Sequence, residues 1–164
     1  MAGILAYGAY VPPGRLDRKA VGATLGQPAG RGTRSVASHD EDSTTLAVEA
    51  ARVALRRSAG TTPTRVLFST ATPTYLDRTN AAVIHAALDL EPGAAAYDFG
   101  GAPRSGIGAL TTALDANETT LVVAADIRTG LPGSADETSG GDAGVAFLVG
   151  DGPALAQEIG RAHV

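Results

Sequence analysis

The sequence predicts an α/β protein whose core is a five-stranded, mostly parallel mixed sheet with helices on both faces. Apolar stretches typical of strands alternate along the chain with segments whose apolar residues recur at helical spacing. The 164 residues are enough for one domain with a modest core. Hydrophobic residues make up 44% of the chain and aromatic residues only 4%, so small and aliphatic side chains must form that core.

The first half of the chain supplies two strands and two helices. Two prolines end the first apolar run, and Gly60 ends a long helix in which Leu46, Ala50 and Val53 share one side. In order, the predicted elements are a strand at 3–11, a short helix at 17–25, a helix within 38–60 and a buried strand at 64–70. The polar segment 26–38 is predicted to be a loop.

The second half adds two helices and three strands. Asp77 is the expected N-cap of the first of these helices, in which Ala81, Ile84, Ala87 and Leu88 are expected to point inward. The predicted elements are a helix at 76–90, a strand at 94–99, a helix at 103–116, and strands at 119–126 and 142–150. No helical pattern separates the last two strands, so the fifth strand is expected to run antiparallel.

The helix that follows the third strand is apolar around most of its circumference. Its sequence, APRSGIGALTTAL from Ala102 to Leu114, places glycine, alanine or leucine on almost every side. Such a helix needs packing partners all round, and one sheet covers only one side. The sequence therefore predicts that a partner for this helix lies outside the domain.

Composition excludes several function classes. Charged residues are 18% of the chain and the net charge is −4, which argues against nucleic-acid binding. The absence of cysteine excludes disulfides, thiolate metal sites and a thiol nucleophile, and the three histidines share no zinc spacing. Neither a signal peptide nor an apolar stretch of about 20 residues is present, so we expect a cytoplasmic protein without membrane or metal binding.

The strand-to-helix corner DFGGAPRSGIGAL, residues 98–110, has the form of an enzyme elbow but lacks the usual chemistry. Gly101 and Gly106 have P-loop spacing, yet Ile107 stands where that loop needs lysine, and the dinucleotide pattern GxGxxG is broken. Ser105 does not fit the hydrolase pattern GxSxG. Pro103 fits the first position of a helix, where a missing N–H costs nothing. The residues alone thus describe a well-formed corner.

Glu41 also has a structural explanation. Ser38-x-x-Glu41 has the spacing of a capping box, with Ser38 as N-cap and the glutamate reaching back to the Ser38 N–H. Asp40 and Asp42 add negative charge that favours a helix N-terminus.

Six segments in order resemble the thiolase-fold condensing enzymes, chiefly the archaeal and bacterial 3-hydroxy-3-methylglutaryl-CoA synthases and more distantly ketoacyl-ACP synthase III. The resemblance covers roughly Ala2–Ala156 and only the N-terminal half of such a protein. The segments are GILAYGAYVP, DEDSTTLAVEAARVAL, TPTYLDRTNAAVIHAALDL, AYDFGGAPRSGIGAL, VVAADIRTGLPGSADE and GGDAGVAFLVG.

The resemblance implies a fold and two site positions. The fold would be one half of an α-β-α-β-α sandwich, with the absent half covering the apolar helix and a homodimer joined through the Ala94–Phe99 strand. Glu41 matches a Glu-Asp pair that supplies the family's general acid/base. Pro103 stands where the family has its nucleophilic cysteine, and proline forms no thioester. Ser105 could replace that nucleophile only from another side of the helix, because two helical positions differ by about 200°.

Three functions remain open. The first is a fragment of a hydroxymethylglutaryl-CoA synthase-like acyltransferase that takes acyl-CoA as substrate, needs no cofactor and lacks Cys-dependent Claisen condensation. The second is a non-catalytic or aldolase-type thiolase-fold subunit that works with an OB-fold acyl-CoA-binding partner. The third is an α/β domain without any link to acyl-CoA.

The chain divides into an expected thiolase-like half-domain, residues 1–157, and a non-native tail, residues 158–164. The tail reads EIGRAHV, which resembles the translation of a common sequencing-adapter read. We expect a truncated open reading frame, and a genuine stop codon after Val164 in clean genomic sequence would contradict this.

Overall fold

The computed structural model describes residues 2–28 and 30–160 and has the predicted α/β architecture, with helices on both faces of a mixed sheet. The strands of the described part are β1 (Gly3–Tyr10), β2 (Gly14–Asp17), β3 (Thr33–Val36), β4 (Arg65–Thr70), β5 (Ala95–Gly100), β6 (Thr120–Asp126), β7 (Ala143–Gly150) and β8 (Ala156–Gln157). The helices are α1 (Arg18–Leu25), α2 (Ser43–Arg56), α3 (Asn80–Ala87), α4 (Ser105–Leu114) and α5 (Ala135–Thr138).

The main sheet has the strand order β5-β4-β6-β7-β1-β8. Strand β4 pairs in parallel with both β5 and β6, whereas β7 runs antiparallel to β6 and β1. The antiparallel direction of β7 is therefore confirmed. The sheet has six strands rather than the predicted five, because the two-residue β8 adds to the free edge of β1 and is too short to show a pattern. Strand β5 forms the opposite edge.

Besides β8, three elements escaped the sequence analysis, namely β2, β3 and α5. The segment predicted as a polar loop contains β3, which pairs antiparallel with β2, and α1 connects the two strands. Both strands have only four residues, and β2 is largely exposed, so neither shows an apolar alternation. The four-residue α5 lies where no helix was predicted, with Ser134 as its N-cap. Short polar elements of this kind leave no periodic signal.

The core lies on both sides of the sheet. Helices α2 and α3 pack on one face, and α4 packs on the other. Helix α2 lies directly on strand backbone, because a Cβ at Gly8 would be 2.2 Å from the carbonyl oxygen of Ala50, and one at Gly144 would be 2.5 Å from that of Leu46. Glycine at these two strand positions is what allows this close approach.

The caps of α2 and α3 differ from the predicted ones. Helix α2 begins at Ser43, and its N-cap is Asp42, not Ser38, because the Asp42 carboxylate accepts from the Thr45 N–H at 2.7 Å. Asp77 is not the N-cap of α3. That helix begins at Asn80, and Asp98 of β5 accepts from the Asn80 and Ala81 N–H groups at 2.7 Å each.

Two further predictions concern exposure and length. Ala87, predicted to point inward, is exposed because it is the last residue of α3. The longest helix in the described part of the chain is α2, with 14 residues, and none there could cross a bilayer. Of the predicted non-native tail, residues 161–164 lie outside the described residues.

Candidate functional site

The elbow between β5 and α4 is an exposed turn. Gly101 has a φ of +93°, and the Ser105 N–H donates to the Ala102 carbonyl oxygen at 3.0 Å. Pro103 is not at the first position of the helix as predicted, because this separate turn precedes α4, which begins only at Ser105. Pro103 is exposed, and Arg104, the N-cap residue, forms no side-chain cap.

The only hydroxyl of the elbow, that of Ser105, donates a hydrogen bond to the Gly100 carbonyl oxygen at 3.0 Å. Among the described residues, no carboxylate or imidazole accepts from it. A serine becomes a good nucleophile when an adjacent base takes its proton. The geometry around Ser105 therefore provides no activation.

Helix α4 has a buried side and an exposed apolar side, as the sequence predicted. Ala109 and Ala113 are fully buried and pack with Leu67, Val122 and Val149 of the sheet. On the opposite side Ile107 is 68% exposed. The unpartnered apolar side of α4 is confirmed, whereas the identity of its partner stays a prediction.

A polar network that the sequence analysis missed ties together the carboxyl ends of β4 and β6. The Asp126 carboxylate accepts from the Thr70 hydroxyl at 3.0 Å and from the Ala71 N–H at 2.7 Å. Arg128 lies 3.2 Å from the other oxygen of Asp126. An aspartate directly after the apolar run LVVAA was the available signal. The network fixes the loops that follow both strands.

Ser69, also missed, faces the start of α4 from β4. Its side chain is on the α4 side of the sheet, and its hydroxyl oxygen is 3.7 Å from where a Cβ of Gly106 would be. Ser69 is only 5% exposed, and its hydroxyl forms no hydrogen bond with another described residue. A serine inside the apolar run RVLFST was the sequence signal.

Glu41 lies just before α2, with both carboxylate oxygens engaged. Oε1 accepts from the Tyr10 hydroxyl at 2.5 Å, and Oε2 accepts from the Ser38 N–H at 2.7 Å. The bond from the Ser38 backbone and then the bond from Tyr10 hold the pKa of Glu41 below its ordinary value. The same carboxylate raises the pKa of the Tyr10 phenol, chiefly because the hydrogen bond stabilises the protonated hydroxyl.

A cleft of about 430 Å³ lies beside Glu41, between α2 and α3. It is lined by Tyr10, Glu41, Thr44, Thr45, Val48, Glu49, Arg52, Val83 and Ala87. None of these residues belongs to the elbow, and α2 and α4 lie on opposite faces of the sheet. The structure therefore does not bring Glu41 and Pro103 together at one cleft, and the acid/base role of Glu41 stays a prediction.

The chain is similar in sequence to known synthases, although no family model matches it. It is 34% identical over 158 residues to a hydroxymethylglutaryl-CoA synthase of Pyrococcus furiosus, covering 91% of the chain and 45% of that protein. The enzyme of the same name from Methanocella arvoryzae is 32% identical over 160 residues, covering 90% of the chain and 46% of that protein. The chain thus spans about half the length of these relatives.

Two solved synthase structures have the same fold as the chain. A β-ketoacyl-[acyl carrier protein] synthase III from Thermus thermophilus is 31% identical, with a TM-score of 0.77 over 91% of the chain and 51% of that protein. An HMG-CoA synthase in complex with CoA superimposes with a TM-score of 0.81 over 93% of the chain and 42% of that protein. Its identity of 23% supports likeness of fold alone.

Proposed function

We propose that this chain binds acyl-CoA at the β5–α4 elbow without forming a covalent acyl-enzyme. The chain belongs to the thiolase-fold condensing enzymes and matches about half of a hydroxymethylglutaryl-CoA synthase. The observation that carries this proposal is Pro103, exposed at the elbow where the resemblance implies the acyl-carrying cysteine. The ring nitrogen of proline is part of a tertiary amide, so it carries no proton and its lone pair is delocalised into the carbonyl group and is not available for acyl transfer. In an unrelated hydrolase, loss of the nucleophile lowers the rate by about 10⁶-fold.

Ser105 is a poor replacement for the missing thiol. Its hydroxyl is held by the Gly100 carbonyl oxygen and has no base beside it. Acyl transfer to that oxygen would need the hydrogen bond to break and a base to take the proton. The proposal therefore expects no acylation at Ser105.

Homodimer formation through β5 is the second part of the proposal. Strand β5 lies at the edge of the sheet, and its outer N–H and C=O groups have no strand beside them in the described part of the chain. Tyr97 is 54% exposed on this strand. An edge of this kind readily pairs with a second chain.

The alternative function is a non-catalytic or aldolase-type subunit that works with an OB-fold acyl-CoA-binding partner. The exposed apolar side of α4, with Ile107 at 68% exposure, favours a protein that acts with a further unit. The absence of a thiol is compatible with this alternative as well. Acyl-CoA binding that requires an added OB-fold protein would favour it over the first function.

The experiment combines calorimetric titration with acetyl-CoA and intact-mass measurement after incubation. The proposal expects saturable binding and no gain of an acetyl group. A mass gain that peptide mapping places at Ser105 would overturn the non-covalent mechanism. An absence of binding would favour the third reading, an α/β domain without any link to acyl-CoA.

Glu41 is assigned a structural role first, because its hydrogen bond from the Ser38 N–H closes the 38–41 turn and its bond from the Tyr10 hydroxyl holds that turn against β1. Proton abstraction from the acyl α-carbon is the alternative, and deuterium exchange of the acetyl-CoA methyl group in D₂O tests it. The structural role predicts the same exchange rate for the protein and for its Glu41→Gln variant. Glu49→Gln is the matched control because Glu49 lines the same cleft. Exchange that only Glu41→Gln abolishes would establish the catalytic role.

A further inference from the structure

The cleft between α2 and α3 has the size and the lining of a small-molecule site. Its volume is about 430 Å³, and ligand pockets in proteins range from about 300 to 1,000 Å³. Val48, Val83 and Ala87 give it apolar walls, and Glu41 and Tyr10 supply polar groups. Mostly apolar walls with a few polar groups are typical of sites that bind small organic molecules. The cleft can therefore hold a short apolar chain that ends in a polar group.

Glu41 gives the cleft a negative charge that no cation of the described residues neutralises. Its two hydrogen-bond donors there, the Tyr10 hydroxyl and the Ser38 N–H, are both uncharged. These bonds hold the pKa of Glu41 below its ordinary value, so the carboxylate is charged at neutral pH. An ionised carboxylate has about four acceptor positions, of which each oxygen of Glu41 uses one. Glu41 can thus accept further hydrogen bonds from a cationic ligand.

The other charged groups around the cleft do not cancel this charge. Arg52 is the one cation among the described lining residues, and its guanidinium lies 2.5 Å from the Glu49 carboxylate. Two carboxylates and one guanidinium leave the lining with a net charge of −1 at neutral pH. The hydrogen bond to Glu41 is the main cause of the raised pKa of Tyr10, and the negative charges of Glu49 and Asp40 raise it further. The cleft therefore favours cations over anions.

We propose that the cleft between α2 and α3 binds a primary ammonium ion that carries a short apolar chain. The ammonium group donates to the Glu41 carboxylate, and the apolar chain lies between Val48 of α2 and Val83 of α3. An ammonium group has three N–H donors, which suit the free acceptor positions of Glu41. The site is independent of the proposed acyl-CoA function, because α2 and α3 lie on the face of the sheet opposite α4.

The test follows backbone amide signals of the ¹⁵N-labelled chain during titration with hexylammonium chloride. The controls are hexan-1-ol, which has the same chain without the charge, and sodium chloride at equal ionic strength. We expect saturable shifts at Val48 and Val83 with hexylammonium. Hexan-1-ol should bind about tenfold more weakly, because it lacks the hydrogen bonds between two charged groups. Shifts that are linear in hexylammonium, or equal affinity for the two ligands, would overturn the proposal.

Two charge variants test the contact with Glu41. Glu41→Gln should weaken hexylammonium binding by about tenfold, because the ligand loses its charged acceptor. Asp40→Asn is the matched control, since it removes the same charge from an exposed neighbour that does not line the cleft. This control should weaken binding by less than about threefold, because water screens an exposed charge. Equal losses in the two variants would contradict a direct contact with Glu41.

A pair of variants on α3 keeps the test decisive if Glu41→Gln fails to fold. Ala86 and Ala87 are neighbouring exposed residues, and of the two only Ala87 lines the cleft. Ala87→Lys places a long cationic side chain at the cleft and should abolish hexylammonium binding. Ala86→Lys should leave that binding unchanged. Equal affinity of the two variants for hexylammonium would contradict the site.

Acetyl-CoA separates this site from the proposed function. Hexylammonium binding without acetyl-CoA binding supports the cleft site and rejects the acyl-CoA function. Acetyl-CoA binding without hexylammonium binding supports that function and rejects the cleft site. If both ligands bind, Ala87→Lys should abolish only hexylammonium binding, and competition between the two ligands would overturn the assignment of hexylammonium to a separate cleft.

Discussion

At the scale of single residues, the structure shows that the nearest suitable side chain in sequence is not always the one that caps a helix. Asp77 stands three residues before α3 and is exposed, whereas Asp98 arrives from β5 and accepts from two N–H groups of the first turn. Local spacing predicts only caps that lie within a few residues of the helix. Asp98 could be identified only once β5 was known to lie beside α3.

The cap gives the first prediction. Asp98→Ala should lower the free energy of unfolding by about 1–2 kcal/mol, because two N–H groups of α3 lose their acceptor. Urea unfolding followed by circular dichroism measures this change. Asp77→Ala, the matched control, should leave the free energy of unfolding unchanged, and equal losses in the two variants would contradict the cap assignment.

The Glu41–Tyr10 pair gives a prediction about pH. The pKa of Glu41 is lower in the folded chain than its ordinary 4.5, so its contribution to stability is present above pH 4.5 and is lost as the pH falls through the folded value. The pKa of Tyr10 is raised above 10.0, so its contribution is present below pH 10.0 and is lost as the pH rises through the folded value.

Glu41→Gln should therefore make the free energy of unfolding less dependent on pH in the acidic range. The difference in unfolding free energy between the protein and this variant is expected to be constant near neutral pH and to shrink below pH 4.5. Urea titrations over this range measure it. Tyr10→Phe should lessen the acid dependence only in part, because the Ser38 N–H still binds the carboxylate. Parallel profiles for the protein and Glu41→Gln would contradict the assignment.

At the level of helices and strands, the sequence predicts the elements whose buried residues form an unbroken run or recur at regular spacing. The apolar runs of β4 and β6 and the helical spacing of Leu46 and Ala50 in α2 are direct consequences of burial. Strands β2 and β3 and helix α5 are short and polar, so their positions depend on tertiary contacts. Arg34, only 8% exposed in β3, donates to the carbonyl oxygens of Asp136 and Glu137 in α5, a contact that no local pattern reveals.

Helix α4 gives the element-scale prediction. Ile107→Lys should reduce both the binding of a hydrophobic dye and self-association, because it removes an exposed apolar side chain. The free energy of unfolding should change by no more than about 0.5 kcal/mol, because the Ile107 side chain is 68% exposed. Size-exclusion chromatography and dye fluorescence measure the first two effects. Ala113→Lys, on the fully buried side, should destabilise by about 3 kcal/mol. Equal destabilisation by the two variants would contradict the conclusion that the Ile107 side of α4 has no packing partner in the described part of the chain.

At the scale of the whole molecule, the fold class and the direction of β7 follow from the sequence, but the arrangement of the candidate site does not. Glu41 and Pro103 each follow from the resemblance, yet the structure places their helices on opposite faces of the sheet. The Ser69 hydroxyl lies 3.7 Å from where a Cβ of Gly106 would be, although the two residues are far apart in sequence. Such contacts depend on sheet topology, which residue spacing does not encode.

The proposed function requires position 103 to be the acyl-transfer position of this fold, with proline in place of a nucleophile. Pro103→Cys restores a thiol there, and Leu131→Cys places one on a loop where the side chain is 81% exposed. Each variant then has a single cysteine, because the sequence contains none. A thiol close to a helix N-terminus has a lowered pKa, so reactivity toward iodoacetamide calibrates each site.

The decisive measurement is the rate of acetyl transfer from acetyl-CoA to each cysteine, which intact-mass measurements follow. Each acetyl-transfer rate is divided by the rate at which the same cysteine reacts with iodoacetamide. We expect this ratio to be about tenfold higher for Pro103→Cys, because the proposed function has acetyl-CoA present its carbonyl carbon to that position. Equal ratios for the two variants would contradict the assignment of the elbow as the acyl position.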